Sequence, residues 1–363
     1  MNIEFWRGKR VLLTGHTGFK GSWLSLWLHS LGAHVTGYAL QPPTTPSLFE
    51  IAHVGDGLRS EIGDIRDLPH LARTMQAAEP EIVFHLAAQP LVLQSYTDPV
   101  GTYATNVMGT VHLLEAVRQC RSVRAVVNVT TDKCYHNREW LWGYREDDRL
   151  GGRDPYSNSK ACAELVTTAY RASFLNPERY AEHGVAIATT RAGNVIGGGD
   201  WAAQRLVPDL LGAFANGTPA LLRQPNAVRP WQHVLEPLRG YLMLAERLFL
   251  DGPFWGDAWN FGPNEGDARA VHAVATSLAK HWGDGAHWTS SPDAATAHEA
   301  TLLQLSNAKA RQQLQWHPAL SLDASLALVV AWHKAWRSGD DMHAMTLRQI
   351  DDYQALFLPS IAS

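Results

Sequence analysis

The chain of 363 residues is 45% hydrophobic and 18% charged, and its net charge is −4. That length predicts two subdomains, and the lack of Lys/Arg clusters argues against a nucleic acid or an anionic membrane surface as partner. The first ten residues show no apolar signal core, and no stretch approaches the roughly 20 apolar residues of a membrane span. Three cysteines at no disulfide or metal spacing predict a cytoplasmic protein without a metal site.

The first half of the chain alternates short Val/Ile-rich runs with longer amphipathic stretches, which is typical of parallel strands covered by helices on both faces. The predicted strands are Lys9–Thr14, His34–Tyr38, Leu58–Ile62, Ile82–Ala88, Ala125–Thr131 and Val185–Thr190. The predicted helices are Ser22–Leu31, Gly109–Gln119 and Ser157–Tyr170. This order predicts an α/β fold with a Rossmann-like, doubly wound parallel sheet.

Glycines and prolines break this rhythm after residue 192, beginning with Gly197-Gly198-Gly199. We therefore expect residues 1–192 to form the main α/β domain, rejoined by about residues 229–262. Residues 193–228 and 263–363 are then expected to form a smaller, C-terminal substrate-binding region.

The first predicted strand runs into a glycine-rich turn, and a helix follows at once. Its glycines permit a tight turn, a close approach of the backbone to a pyrophosphate, and close packing of helix on strand. The helix N-terminus adds free N–H groups and a partial positive charge. Lys20 is neither preceded by Gly nor followed by Ser or Thr, which excludes a P-loop. The turn therefore predicts a dinucleotide site with these contacts: Gly15, His16, Thr17, Gly18, Phe19 and Gly21.

The second predicted strand lacks the acidic residue that usually holds the ribose of NAD. No arginine near Gly37-Tyr38-Ala39-Leu40 awaits a 2′-phosphate, and this favours NAD over NADP. We expect Asp64 and Ile65, after the third strand, to contact the adenine, although Asp64 could simply cap a turn.

Tyr156 and Lys160 are four residues apart on a predicted helix, a spacing that puts both side chains on one face. A neighbouring ammonium and a positively charged nicotinamide lower the pKa of a phenol. Tyr156 is therefore predicted to act as a base near neutrality.

Polar residues also end the fifth predicted strand, at the edge where open α/β sheets bind ligands. Thr131 is placed to hydrogen-bond the hydroxyl that Tyr156 deprotonates. Asp132 and Lys133 add an acid and a base at the same edge. Asn106 either supports this site from its helix or is an ordinary buried residue.

Four motifs stand out together: Thr14–Gly21, His85-Leu86-Ala87-Ala88-Gln89, Thr131–Tyr135 and Tyr156–Lys160. In combination they resemble the extended short-chain dehydrogenases/reductases that modify nucleotide sugars. Within that group, four stretches resemble the CDP-glucose 4,6-dehydratases: Gly15–Gly21, Asp132–Tyr135, Arg191–Trp201 and Arg229–Leu238. The resemblance spans nearly the whole chain and implies NAD as cofactor. Its further implied contacts with the cofactor are Leu86, Ala87, Ala88, Gln89, Asn106, Tyr156 and Lys160.

The resemblance implies a redox-neutral lyase that acts on CDP-glucose. Tyr156 removes the proton from the sugar O4 while hydride passes from C4 to NAD+. The resulting ketone acidifies C5–H, water is eliminated across C5 and C6, and hydride returns to C6. Asp132 is the implied acid at O6. Asn194 and Arg229 match positions that hold the substrate diphosphate, although Arg229 could equally be a surface residue.

The resemblance also implies a homodimer or homotetramer, paired through helices that flank the sheet, and a role in bacterial lipopolysaccharide O-antigen biosynthesis. Two positions depart from the family pattern. Lys133 stands where related dTDP-glucose dehydratases carry Glu, so it is open whether Lys133 is the C5 base or holds the developing enolate oxygen. Leu93 stands where many relatives carry Arg.

Two alternatives stay open at this point. Another nucleotide-sugar dehydratase or a 4-epimerase on the same fold would share Tyr156 and Lys160, but an epimerase has no use for Asp132 beside Lys133. A non-catalytic NAD-binding subunit often loses the Tyr or the Lys, and both are present here.

Overall fold

The structure, a computed structural model, describes residues 1–290 and 302–357. Its strands are β1 (Arg10–Thr14), β2 (His34–Ala39), β3 (Arg59–Ile62), β4 (Ile82–His85), β5 (Ala125–Val129), β6 (Ala186–Ala192), β7 (Asn194–Ile196), β8 (Ala220–Leu222), β9 (Val228–His233), β10 (Ala258–Phe261), β11 (Ala268–Ala270) and β12 (Trp288–Ser290). Its helices are α1 (Phe19–Ser30), α2 (Leu48–Ile51), α3 (Leu68–Ala78), α4 (Val92–Thr97), α5 (Pro99–Tyr103), α6 (Gly109–Gln119), α7 (Pro155–Ser173), α8 (Tyr180–His183), α9 (Leu206–Ala215), α10 (Leu235–Asp251), α11 (Val271–Trp282), α12 (Ala308–Gln313), α13 (Leu322–Ser338) and α14 (Met342–Ala355). Among these, no helix is long and apolar enough to cross a bilayer.

Seven parallel strands form the central sheet, in the order β10-β6-β5-β4-β1-β2-β3. The predicted doubly wound α/β fold is thereby confirmed. The chain runs outward from β1 to β3 and then returns to place β4 on the other side of β1. In open α/β sheets, ligands bind at the carboxyl ends of the strands where the order reverses. The end of β1 and the end of β4 therefore define the expected binding edge.

Two of the predicted strands end two or three residues earlier in the structure. The strand predicted over Ile82–Ala88 stops at His85, because the Ala87 N–H donates to the side-chain hydroxyl of Thr14 (3.2 Å) and the chain leaves the sheet. The strand predicted over Ala125–Thr131 likewise stops at Val129. In both cases the residues beyond the strand line the binding edge.

The helix predicted over Ser22–Leu31 begins three residues earlier, at Phe19. Gly18 is its N-cap residue, and the Ser22 N–H donates to the Gly18 carbonyl (2.8 Å). The last part of the glycine turn is thus already helical. This places the helix N-terminus directly beside the turn.

Helix α1 is buried on all sides, although the sequence predicted one apolar face. Trp23 and Trp27 are fully buried, and the Trp27 indole donates to the Gln354 side chain of α14 (3.1 Å). The ring of Tyr353 packs edge-on against the same indole. The C-terminal helix therefore covers the outer face of α1.

A second core lies beyond the central sheet. It includes Leu210, Phe214, Val274, Leu278 and Val329, which come from α9, α11 and α13. A small sheet in the order β11-β9-β7 borders this core. Since β7 follows β6 after a single residue, the carboxyl edge of the central sheet faces this second part of the chain.

Candidate active site

The glycine turn leaves no room for side chains where it meets its neighbours. Gly15 has φ +80°, and a Cβ atom there would lie 2.7 Å from the Ala87 backbone nitrogen. A Cβ atom at Gly21 would lie 2.0 Å from the Gly15 carbonyl oxygen. Gly18 has no side chain to cap α1, so the first N–H groups of the helix face the turn. This geometry suits an anionic group such as a pyrophosphate.

His16 belongs to this turn through its backbone, whereas its side chain points into the protein. The ring is fully buried, and its Nε2 lies 2.7 Å from the hydroxyl of Ser60. Burial lowers the pKa of His16 to about 4, so the ring is neutral at pH 7. A Cβ atom at Gly37 would lie 2.3 Å from this ring. The ring thus occupies the space above β2 that a side chain at position 37 would need.

Asp64 lies after β3 as predicted, and its carboxylate holds a local arginine. Arg66 donates to it through Nη2 (2.5 Å) and through Nε (3.0 Å to each oxygen). The Arg66 guanidinium lowers the pKa of Asp64. The neighbouring Ile65 side chain is buried and faces Gly109 on α6. The Asp64 carboxylate also accepts from the Arg66 N–H (2.9 Å), so Asp64 caps the turn that follows β3.

The loop after β4 is tied to the catalytic helix through Asn106. The Asn106 side chain accepts from the Gln89 N–H (2.8 Å) and donates to the Gln89 carbonyl (3.1 Å) and to the Ser159 hydroxyl (2.9 Å). Asn106 lies in a π-helical turn, Ala104–Met108, and such turns are frequent at functional sites. The reading of Asn106 as a support of the site therefore has a structural basis.

Helix α7 carries Tyr156 and Lys160, and both are buried. Asp154 caps the helix by accepting from the Ser157 N–H (2.9 Å). The Lys160 ammonium donates to the backbone carbonyl of Val129 (3.1 Å). Burial lowers the pKa of Lys160 to about 8. Lys160 therefore changes charge close to neutrality.

The protein's own groups do not lower the pKa of Tyr156, and the lowering expected with a positively charged nicotinamide beside the phenol stays a prediction. Burial raises the pKa of Tyr156 to about 12, and a hydrogen bond with Thr131 only partly opposes this. The Lys160 ammonium donates to the carbonyl of Val129 and not to the phenol. Burial therefore has a larger effect on the pKa of Tyr156 than any neighbouring charge of the protein.

Thr131 and Asp132 lie beside Tyr156 after the end of β5, and Lys133 follows Asp132 in a short turn. The Thr131 hydroxyl is 3.1 Å from Asp132 Oδ1, and it also hydrogen-bonds the phenol of Tyr156. The other carboxylate oxygen, Oδ2, is buried and has no hydrogen-bond partner among the described residues. Burial raises the pKa of Asp132, against the opposing charges of Lys133, Arg229 and Lys20. An unpartnered buried carboxyl group at a sheet edge is suited to donate a proton to a ligand.

Arg229 lies on β9 and Asn194 on β7, and these two strands pair in parallel. Arg229 is buried, which excludes the alternative of a surface residue. Its charge acts on Asp132, so the structure brings Arg229 to the catalytic edge. Asn194 is half-buried at the start of β7. Leu93, on α4, is also half-buried and adds no charge to the site.

Lys20 is a site residue that the sequence analysis used only to exclude a P-loop. It is the second residue of α1, and its ammonium lies 6.0 Å from the ring centre of Tyr241. Burial lowers the pKa of Lys20 to about 8, with further lowering by Arg205 and Lys160 and an opposing contribution from Asp132. The sequence could have indicated that Lys20 belongs to the site, because Lys20 lies within the glycine turn and that turn ends at the catalytic edge.

Three comparisons with known proteins agree with this geometry. A sequence profile of the family described as GDP-mannose 4,6 dehydratase matches residues 12–328. The CDP-glucose 4,6-dehydratase of Salmonella typhimurium is 56% identical over 352 residues, which cover 97% of this chain and 98% of that protein. A UDP-glucose 4-epimerase from Thermotoga maritima, solved with UDP-glucose, matches with a TM-score of 0.77 at 22% identity, over 91% of this chain and 99% of its own. MoeE5, solved with UDP-glucose and NAD, matches with a TM-score of 0.76 at 26% identity, over 92% of this chain and 100% of its own.

The epimerase match concerns the fold alone, whereas the profile and the Salmonella relative span the glycine turn, the Thr131–Lys133 segment and the Tyr156–Lys160 pair. The resemblance found in the motifs is thereby confirmed. The chain belongs to the GDP-mannose 4,6 dehydratase family, in the group that includes the Salmonella CDP-glucose 4,6-dehydratase.

Proposed function

We propose that this chain is an NAD-dependent hydro-lyase that converts CDP-D-glucose to CDP-4-keto-6-deoxy-D-glucose. The observation that carries the proposal is the placement of Asp132 close to Tyr156, with Lys133 next to Asp132, so that one bound sugar can meet a base and an acid. The choice of CDP-glucose rests on the 56% identity to the Salmonella enzyme over nearly its whole length.

The chain's own residues fit a dinucleotide cofactor. Gly15 and Gly21 bring the turn, β4 and α1 together, and the uncapped N-terminus at Gly18 offers N–H groups to a pyrophosphate. The remaining proposed contacts are His16, Thr17, Phe19, Asp64, Ile65, Leu86, Ala87, Ala88, Gln89, Asn106, Tyr156 and Lys160. NAD+, when bound, takes a hydride from the sugar C4 and later returns it to C6, so the reaction is redox-neutral overall.

Tyr156 takes the proton from the C4 hydroxyl in the first step. Thr131 hydrogen-bonds the phenol and holds its oxygen at the sheet edge. Burial raises the pKa of Tyr156 to about 12, so the phenol must lose its own proton before it can accept one from the sugar. The positive charges of Lys160 and of a bound nicotinamide would both favour that ionised form.

Asp132 and Lys133 act on the ketone that this step produces. The ketone acidifies C5–H, and Lys133 either removes that proton or holds the enolate oxygen. Asp132, whose pKa is raised by burial, gives its proton to the C6 hydroxyl as the C6–O bond breaks and water leaves. When hydride returns to C6, C5 takes back one proton. The net proton that leaves with the C6 hydroxyl as water is therefore balanced by the proton that Tyr156 took from O4.

Asn194 and Arg229 are proposed to hold the substrate diphosphate. A guanidinium offers paired N–H groups that match phosphate oxygens. Both residues lie on the small sheet that borders the second core, so the nucleotide part of the substrate would lie there while the sugar reaches the central sheet.

We also propose the division of the chain into two parts. Residues 1–192, with 229–262, form the NAD-binding part, and residues 193–228 and 263–363 form the nucleotide-sugar part. Strand β10 supports this division because it joins the central sheet in parallel with β6. Helix α14 packs on α1, so the two parts share an extensive contact.

The remaining proposals concern the setting of the enzyme. Exposed apolar side chains on α4, α5 and α7, namely Tyr96, Val100 and Leu165, fit a homodimer paired through helices that flank the sheet, or a tetramer built from it. The three free cysteines fit a reducing cytoplasm. The product class fits bacterial lipopolysaccharide O-antigen biosynthesis.

One experiment separates the proposed function from its alternatives. The protein is incubated with NAD+ and CDP-glucose, and the sugar is followed by NMR. A 4-keto-6-deoxy sugar supports the dehydratase, and a C4 epimer would indicate an epimerase. NAD binding with unchanged CDP-, dTDP- and UDP-glucose would indicate a non-catalytic subunit. Tyr156→Phe is the matched control, because it keeps the ring and removes the base.

A further inference from the structure

A buried ion pair between Glu164 and Arg191 lies directly beneath the catalytic edge. Arg191 donates to Glu164 through Nε (3.0 Å to Oε1) and through Nη2 (2.9 Å to Oε2), and both side chains are almost fully buried. Thr130 and Thr189 also donate to the same carboxylate, the latter at 2.6 Å. All four hydrogen bonds come from side chains, so the protein itself fills the acceptor positions of the Glu164 carboxylate.

This ion pair joins the two structural units that carry the catalytic residues. Glu164 lies on α7, one turn after Lys160 and two turns after Tyr156. Its partner Thr130 immediately precedes the Thr131–Lys133 segment. The distance between the base and the acid of the site is therefore set partly through Glu164.

Arg191 holds the other end of the same segment. Its Nη1 donates to the Tyr135 hydroxyl (2.8 Å) and to the Glu146 carbonyl (2.9 Å). The Tyr135 hydroxyl in turn donates to the Asn260 side chain on β10 (2.7 Å). The Thr131–Lys133 segment is thus anchored at both ends: Thr130 is held by the Glu164 carboxylate, and Tyr135 is held by the Arg191 guanidinium.

We propose that Glu164 and Arg191 form a positioning unit, which fixes the Thr131–Lys133 segment against Tyr156 and keeps the Lys160 ammonium charged during catalysis. Glu164 is the nearest carboxylate on the same helix face as Lys160, and its charge opposes the effect of burial on that ammonium. Neither Glu164 nor Arg191 contacts the substrate in this proposal. It rests on the proposed dehydratase reaction for the steps it serves.

Several other titratable groups lie near Lys160, and their effects on its titration must be distinguished from the effect of Glu164. His85 is buried, and its pKa is lowered to about 3, so it stays neutral. Burial raises the pKa of the Cys134 thiol, which therefore also stays neutral. Lys20 repels Lys160 and titrates in the same range, near pH 8. Tyr156, with a pKa near 12, is uncharged over that range.

The direct test is an NMR titration of Lys160 in the full chain labelled with ¹³C at lysine Cε, with Lys160→Met to assign the signal. In Glu164→Gln the midpoint of the Lys160 titration should fall by at least about 1 pH unit, the size of a lost neighbouring charge. Thr189→Val is the matched control, since it removes one hydrogen bond to the carboxylate and keeps the charge; its midpoint should stay within about 0.3 unit. The shift should persist in the Lys20→Met background, which removes the other group that titrates nearby. An unchanged midpoint in Glu164→Gln overturns the electrostatic part of the proposal.

The positioning part is tested by kinetics, in variants that keep the fold. Tyr135→Phe removes the link from Arg191 to Asn260 without altering the ion pair or the volume of the ring. Displacement of groups by about 1 Å costs up to ~10²-fold in rate, so kcat should fall about 10- to 100-fold while KM for CDP-glucose stays within about twofold. Reduction of NAD+ by bound substrate should be less affected than release of dehydrated product, because Tyr135 anchors the Asp132–Lys133 side.

The outcomes of the two experiments are independent of each other, and the Lys160 titration is also independent of the proposed function. A Tyr135→Phe enzyme with wild-type kcat overturns the positioning role, even if Glu164→Gln does not fold. A KM that rises as much as kcat falls would also overturn it, because it would assign the network to substrate binding. If the wild-type chain does not dehydrate CDP-glucose, the proposed function fails, whereas the Lys160 titration still decides the electrostatic part.

Discussion

The glycine turn gives a sharp test of the cofactor site, because the structure predicts different results for two neighbouring Gly→Ala substitutions. In Gly21→Ala the added Cβ would lie 2.0 Å from the Gly15 carbonyl oxygen and 2.8 Å from the His16 Cα. Both contacts are with backbone, and α1 is buried on all sides, so the helix has no direction in which to yield. We expect the free energy of unfolding to fall by about 3 kcal/mol, the upper range for overpacking, and NAD binding to weaken with it.

In Gly18→Ala the new Cβ would lie 3.4 Å from the Gly15 carbonyl oxygen, an ordinary contact, and φ is −81°. The free energy of unfolding should change by less than about 0.5 kcal/mol. The methyl group would instead occupy the surface proposed for the pyrophosphate, at a cost of at least about 1.4 kcal/mol, so the Kd for NAD should rise at least about tenfold. Urea unfolding and NAD titration by calorimetry measure the two quantities.

Gly212→Ala, on α9 with open space around its Cβ, is the control and should leave NAD binding unchanged. Wild-type NAD affinity in Gly18→Ala would show that the pyrophosphate does not lie over residues 18 and 19. Wild-type stability in Gly21→Ala would contradict the packing of α1 against the turn.

Four further predictions concern the chemistry. Tyr156→Phe should lower kcat at least ~10²-fold with the fold intact by circular dichroism, and activity near wild type would make Tyr156 a packing residue. Lys133→Ala should still reduce NAD+ with bound substrate but release little dehydrated product. In this variant, incorporation of solvent deuterium at C5 should be lost if Lys133 is the base, and should be slower but present if Lys133 only holds the enolate oxygen. Dehydration at the wild-type rate would place Lys133 outside the chemistry. The kcat/KM for CDP-glucose should far exceed that for dTDP- or UDP-glucose, and equal values would remove the nucleotide assignment while leaving the dehydratase. NAD should bind more tightly than NADP because no arginine near Tyr38–Leu40 awaits a 2′-phosphate; tighter binding of NADP to the wild type would contradict this.

Local patterns were sufficient to predict the sheet and the principal site motifs. The strands are continuous apolar runs because both faces of the sheet are covered, and this signal does not depend on the rest of the chain. The glycine turn and the Tyr156–Lys160 spacing are equally local. Each requires only a few neighbouring residues to define its geometry.

Features that depend on distant contacts were not predictable in the same way. The burial of α1 on all sides is caused by α14, more than 300 residues later in the chain. The pairing of Glu164 with Arg191 joins a helix to a strand, and no spacing rule relates them. Lys20 was visible in the sequence, but its neighbours Arg205 and Lys160 come from other elements, so its electrostatic setting follows only from the fold.

Tyr156 and Asp132 show why the sequence predicts which residues form this site but does not predict how their pKa values are shifted. A lysine four residues from Tyr156 suggested a lowered phenol pKa, yet burial outweighs the protein's own charges and raises it, while Lys160 donates to the Val129 carbonyl. Three cations surround Asp132, and each alone would favour the carboxylate, yet burial outweighs them and raises its pKa. One of the three is Arg229, the proposed partner of the substrate diphosphate. A bound diphosphate neutralises that guanidinium, which removes one of the charges that oppose protonation. Substrate binding should therefore raise the pKa of Asp132 further, so that the acid is most fully protonated when a C6 hydroxyl is there to receive the proton.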